Sequence, residues 1–472
     1  MLDLRSLALF RVMLGLILIV DLIERSTALV PFYTDSGVFP RSTASYALHD
    51  WRISLHMANG EPVFQAVLFI IAGLFAFSLM IGYKTRLVTI ISWLMLISLH
   101  NRNPFLLYGS DTMLRAVLFW AMFLPLGQVW SVDSKFSQAP RTSLSNRFVS
   151  VGSACFIIQM AMIYLFASAL KSDALWREDG TAIEYALRLR QLGTPLGLYL
   201  AEIPWFTRSA TFGTIFLEGI VPWFLFMPWL SKYTRLPIVI LFIGFHAGIA
   251  SSMAVGLFPY IGMLAWVALL PGGFWNFAFI RLGRSVVQDP PDSDVSVPEE
   301  QSKSHIAVGL GSGIAISSLA LLLWLNFTTV WDRPDLRKPL TPILYATQLR
   351  QEWNMFAPKP LRRTRWFIVE VWTSDGQRYD ALKNWQEVDE TLPTYAHDAM
   401  PSVRWRKYLN AMRERDRSRE WQQFCRYFAR SAESKFGEDT VELVQVRFFQ
   451  QLLLPDGEVR DIKPRTLYKF DY

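Results

Sequence analysis

The chain has 472 residues, 52% hydrophobic and 14% aromatic, with only 18% charged and a formal net charge of +7. This excludes a disordered chain, a fibrous repeat and a purely soluble enzyme. Residues 1–330 hold 22 of the 47 Lys+Arg and 19 of the 40 Asp+Glu, so the last 142 positions carry more than half of all charges and read as water-soluble.

In chain order, the apolar segments predict nine membrane helices, near 6–23, 64–83, 86–100, 112–128, 147–170, 211–230, 236–254, 258–280 and 305–327. The first follows Arg5 but lacks a small-residue cleavage site, so it reads as a membrane helix rather than a leader. With the N-terminus inside, eleven Lys and Arg fall on inner connections and nine on outer ones. That bias, and the short basic inner loops, predict a cytoplasmic N-terminus and a C-terminal domain on the other side. A basic surplus spread over loops and a mixed-sign tail speaks against nucleic acid as a partner.

The domain plan is a transmembrane bundle over 1–282, a polar linker with three prolines over 283–304, a final membrane helix over 305–327 and an extracytoplasmic α+β domain over 328–472. In that tail Trp366–Thr373 is β-rich, with a turn at Asp375-Gly376 before Arg378–Leu382. A second hairpin is expected from Val441–Leu454, a turn at Pro455-Asp456-Gly457 and Glu458–Ile462. Between them 401–433 is a basic amphipathic helical stretch. Its Trp405, Tyr408, Leu409, Met412, Trp421, Phe424 and Phe428 fall at helical spacing and read as packing rather than ligand contacts. The fold class is an all-α polytopic membrane bundle with a small soluble α+β domain.

Polar groups in or beside membrane spans are costly, so each is a candidate for function. Lys171 ends the run FASALK and opens a cluster with Asp173, Trp176, Glu178, Asp179 and Gly180. It either snorkels to the interface or serves as a base in a partly dry pocket. Glu218, beside Gly219 and before Pro222, needs a partner or a proton. His246, among Gly, Ala and Ser, is either a helix-packing histidine or a site residue. His100-Asn101-Arg102-Asn103 precedes a joint at which Ser110 or Asp111 caps the next helix. The two cysteines, Cys155 and Cys425, show no CxxC spacing, so neither a disulfide framework nor a cysteine metal site is expected. No nucleotide, hydrolase or zinc-protease fingerprint is present.

FASALKSDALWREDG resembles the lysine region of vitamin K-dependent γ-glutamyl carboxylases, with Lys171, Asp173, Ala174, Trp176 and Gly180 at the matching places. FHAGIASSMAVGLFPYIGML resembles their histidine segment, with His246 in the histidine's place and Gly256, Phe258, Pro259 and Tyr260 in the closing run. NRNPFLLYGSDTMLR, WSVD and the tail phrase QEWNMFAPKP are closer to the bacterial relatives, the HTTM (horizontally transferred transmembrane) domain proteins. The chain departs from the carboxylases at Asn103-Pro104, where they carry a histidine, and in its smaller tail.

The resemblance implies a quinol- and oxygen-dependent enzyme of the carboxylase or epoxidase kind, with Lys171 as base and His246 assisting. Asp173, Trp176, Glu218, Asn103 and Tyr260 would support them, and the cofactor would be a reduced naphthoquinone (vitamin K hydroquinone or menaquinol), with no metal. It also implies a bacterial inner membrane and a periplasmic tail. The alternative is a non-enzymatic membrane scaffold or lipid- or quinone-binding module whose tail docks a partner. Expected partners are membrane lipids and, at the C-terminal domain, a protein or peptide. A transporter is the weaker third reading, because no internal repeat is visible.

Overall fold

The computed structural model describes residues 1–48, 50–136, 146–227, 229–283, 305–395, 400–414, 417–438, 440–454 and 458–472. The expected linker after Gly283 and the turn Pro455-Asp456-Gly457 lie outside the described residues. The bundle is built from α1 (Leu4–Ser26), α2 (Pro62–Ile81), α3 (Thr85–Arg102), α4 (Gly109–Ala121), α5 (Val151–Leu170), α6 (Pro204–Gly219), α7 (Ser231–Ser252), α8 (Phe258–Val267), α9 (Gly272–Arg281) and α10 (His305–Val330). Local chemistry fixes the ends. Asp3 caps α1 by accepting the Arg5 amide at 2.9 Å, Ser150 and Ser153 form a capping box on α5, and Gly82 closes α2 at φ 74°.

Among the described residues six helical stretches are long and apolar enough to cross a membrane, or seven if the bent pair α8–α9 is one span, against the nine expected. Three segments make the difference. α3 carries Arg86 near its start and His100-Asn101-Arg102 at its end, which dilute its apolar run. α4 has 13 residues, about 20 Å at 1.5 Å per residue, and stops before Pro125. α8 and α9 meet at a bend of 88° at Leu270-Pro271. α4 is nevertheless buried along nearly its whole length, its Met113, Leu118 and Trp120 forming the centre of the bundle core with Phe10 of α1, Phe156 of α5 and Trp266 of α8.

The bundle has two distinguishable ends. Leu2–Asp3 pairs antiparallel with Arg147–Phe148, and α9 lies against the same end through Arg5–Asn276 and Trp275–Ser6 hydrogen bonds of 3.0 and 2.8 Å. The tail docks at the opposite end. It contains a five-stranded antiparallel sheet of β1 (Arg363–Thr373), β2 (Arg378–Asp380), β3 (Gln386–Glu387), β4 (Val441–Leu453) and β5 (Val459–Asp471), in the spatial order β3-β2-β1-β4-β5. β1 and β4 pair with Phe367 opposite Phe448 and Val369 opposite Val446, and these side chains face the helices α11 (Val403–Arg413) and α12 (Ser418–Phe436). The expected single helical stretch over 401–433 is thus two helices, and the strand expected over Glu458–Ile462 runs on to Asp471. The tail shares its core with the bundle: Phe32, Tyr33, Val38 and Phe39, from the loop after α1, pack in one cluster with Trp405, Tyr408 and Phe424.

Candidate functional site

Two buried polar centres stand at the tail end of the bundle. The larger is built on α1, where Asp21 and Arg25 are one helical turn apart and Nε of Arg25 donates to Asp21 at 2.8 Å. The same guanidinium donates to the Tyr33 hydroxyl at 3.0 Å and pairs with Asp111, while its Nη2 lies 2.9 Å from Nε2 of His100. The N-cap of α4 is Tyr108 rather than the expected Ser110 or Asp111; Asp111 sits in the first turn and its side chain reaches back to accept the Tyr108 amide at 2.8 Å. Arg115, one turn further, approaches Nδ1 of His100 at 2.8 Å. The last member comes from the tail. Arg404 of α11 donates to Asp21 at 2.6 Å and to Asp111 at 3.2 Å. Burial and the nearby Arg25 press the Arg404 guanidinium toward neutrality, but Asp111 and Asp21 outweigh them and its pKa is raised. Next to it, Arg406 donates to the backbone carbonyls of Gln191 and Ala254, so α11 is pinned to the bundle at two points.

The smaller centre holds the lysine. Nζ of Lys171 donates to Glu218 at 2.6 Å and to the Ala167 carbonyl at 3.4 Å, and lies 5.4 Å from the Trp176 ring centroid. Both charged partners are buried, Lys171 being 4% and Glu218 6% exposed, so neither snorkels to water. Arg177 donates to the carbonyls of Lys171 and Ser168 and closes the end of α5. Asp173 caps the short helix Ala174–Arg177 by accepting the Leu175 amide at 3.1 Å.

His246 lies elsewhere. Its Nε2 is 2.8 Å from the Tyr164 hydroxyl, which also accepts from Nε1 of Trp266 at 2.7 Å, and its ring faces Gly262. Tyr164 is seven residues before Lys171, about 10 Å along α5, so His246 is connected to the lysine through a helix rather than by contact. Of the other candidates, Asn103 is buried and donates to the Phe32 carbonyl at 3.2 Å, on the side of the larger centre. Tyr260 is 48% exposed on α8. The structure therefore brings Lys171, Glu218, Trp176 and Asp173 together and leaves His246, Asn103 and Tyr260 apart. Sequence reasoning missed the Asp21–Arg25–Arg115–Arg404 network. Its only local signal is the Asp21/Arg25 spacing, because Arg404 is 383 positions from Asp21.

Among the described residues no three His, Cys, Asp or Glu side chains stand together as metal ligands. Nζ of Lys171, the atom a quinol would have to reach, is held by Glu218 and the Ala167 carbonyl and lies 5.4 Å from the Trp176 ring centroid.

The fold and these centres define a polytopic helical membrane protein with two buried ion-paired centres and a C-terminal sheet domain locked to one end of the bundle. The profile described as HTTM domain matches residues 1–272, and the chain belongs to that family. It is also 22% identical over 324 residues to the human protein lipase maturation factor 1, a match covering 67% of this chain and 54% of that protein, so the chain spans about half the length of this curated relative. No solved structure matches.

Proposed function

We propose that the chain is a non-enzymatic membrane module that binds a protein client and assists its maturation, with lipid around the bundle and the tail as docking body. The observation that carries this reading is the closure of both polar centres on the chain's own side chains. A catalytic base has to come within hydrogen-bond reach of a substrate proton, whereas Nζ of Lys171 is engaged by Glu218 and the Ala167 carbonyl beside the Trp176 ring. The human relative's name supports a client that is itself a protein, and a lipase is the first to try. We place the N-terminus in the cytoplasm and the tail in the periplasm of a bacterium. Nine passes, three of them short or bent, would put the N-terminus and the tail on opposite sides, in line with the basic inner loops.

The test separates scaffold from enzyme at Lys171. Removing the lysine alone strands a buried carboxylate, at a cost of about 3–5 kcal/mol, whereas replacing both members of a buried ion pair with apolar residues is often neutral. In a deletion strain, the extracytoplasmic proteins that fall in abundance should return with wild type and equally with Lys171→Met/Glu218→Leu. Purified protein given vitamin K hydroquinone or menaquinol with oxygen should form no epoxide. Epoxide that disappears in Lys171→Ala would overturn the reading in favour of base chemistry at this lysine.

A further inference from the structure

The segment that leads from Gln348 into the phrase QEWNMFAPKP runs between the two centres and touches both. From Gln348 to Pro358 the backbone is neither helix nor strand, and it lies against the bundle with Gln348, Leu349, Gln351 and Trp353 buried in it and Arg350, Asn354 and Pro358 exposed. Gln348 donates to Asn101 at 2.7 Å, and its carbonyl accepts from Arg115 at 3.2 Å, on the edge of the larger centre. Gln351 accepts from Gln159 at 2.9 Å, and Gln159 in turn accepts from Trp120 at 3.1 Å. Gln159 is eleven residues before the end of α5, so the segment reaches about 16 Å down from that end. Trp353 is 2% exposed and belongs to the bundle's own core. The Phe356 carbonyl accepts from Nε1 of Trp176 at 3.0 Å and the Pro358 carbonyl from the Asp173 amide at 3.3 Å, beside Lys171.

Irregular backbone at the depth of membrane helices persists only where protein or trapped water encloses it. Here the helices hold it as a receptor holds an extended peptide, by one side-chain amide, one aromatic anchor two residues on, and main-chain carbonyls. We propose that this strap is an internal stand-in, and that the cleft beneath it receives an extended segment of a client polypeptide carrying an amide side chain followed by an aromatic one. This inference rests on the client-binding reading above.

A closed strap lowers apparent affinity for an outside peptide by the fraction of time it is open. The probe is a fluorescein-labelled peptide with the sequence of residues 349–358, added to the full chain in nanodiscs. Loosening the strap with Gln351→Ala/Met355→Ala should tighten peptide binding by about tenfold or more over wild type. A Cβ on Gly109 would stand 2.8 Å from Sδ of Met355, so Gly109→Cys with Met355→Cys can lock the strap by a disulfide. The oxidised lock should not bind, and reduction should restore binding. Equal binding by locked and loosened forms, or none by a folded loosened form, overturns the proposal. In wild type, hydrogen exchange at 349–356 should be faster than in the turn of α5 around Gln159, and equal protection overturns it too. Restoration of client abundance in the deletion strain is read separately, so client binding can stand if this cleft fails.

Discussion

Arg404 illustrates what a single buried guanidinium holds in place. It bridges Asp21 on α1 and Asp111 on α4 and stacks 5.3 Å over the Tyr108 ring. Arg404→Ala leaves two buried carboxylates with one shared guanidinium, Arg25, besides the contacts of Asp111 with His100 and the Tyr108 amide, and should destabilise the docked tail by about 3–5 kcal/mol. Limited proteolysis of membranes should then release the tail, which stays resistant in wild type. Arg404→Lys should not restore resistance, because one ammonium cannot fork between two carboxylates. Asp380 gives the opposite case. It is fully buried in β2, one oxygen accepts the Leu382 amide at 3.0 Å, and the other has no partner. Burial raises its pKa to about 6. An acid with a raised folded pKa contributes its full stability below the unfolded value near 4, and that stability is lost as pH rises through about 6. Asp380→Asn should therefore raise the melting temperature at pH 7, by the equivalent of about 3 kcal/mol at most, and leave it unchanged at pH 4. Equal effects at both pH values would show that the gain has another cause.

Elements differ in how visible they are in the sequence, and the reason is what surrounds them. α1, α2, α5 and α7 face lipid or core along long apolar runs, so composition alone finds them. The C-terminal part of α3, from Met95 on, and nearly all of α4 are enclosed by neighbouring protein, which lets α3 carry His100, Asn101 and Arg102 and lets α4 be short. The hydropathy of such a helix reports its neighbours less than its own chain, which is why nine apolar segments do not become nine full-length spans. The sheet of the tail was legible from its alternating residues and its Asp375-Gly376 turn. The lysine–glutamate pair was legible only as two separate costs. Nothing local says that positions 47 apart meet. Where α7 and α8 cross, contact depends on the absence of a side chain, since a Cβ on Gly262 would overlap the His246 ring. Gly262→Leu should push that ring off the Tyr164 hydroxyl and separate the two helices, at a cost of about 1–3 kcal/mol. Thermal unfolding in detergent checks this, and an unchanged midpoint would mean that His246 moves aside without cost.

For the molecule as a whole, the direction of the helices ties the orientation to a few exposed positions. α1 runs from the end where Leu2–Asp3 meets Arg147–Phe148 to the end where Arg404 enters, and α2 returns antiparallel, its Met80 and Ala76 against Gly15. Asn59, before α2, is therefore on the tail side with Ser374 of the sheet, whereas Tyr83, after α2, is on the other. All three are exposed, and both native cysteines, Cys155 and Cys425, are buried. Single cysteines at these positions, in a Cys155→Ser/Cys425→Ser background, report sidedness with an impermeant maleimide on intact cells. Asn59→Cys and Ser374→Cys should label from outside, and Tyr83→Cys only after the membrane is opened. The reverse pattern would put the tail in the cytoplasm and, with it, any client that the cleft receives. Labelling of Asn59→Cys and Ser374→Cys on opposite sides would break the docking itself, since Arg404 cannot reach Asp21 and Asp111 across a bilayer about 30 Å thick.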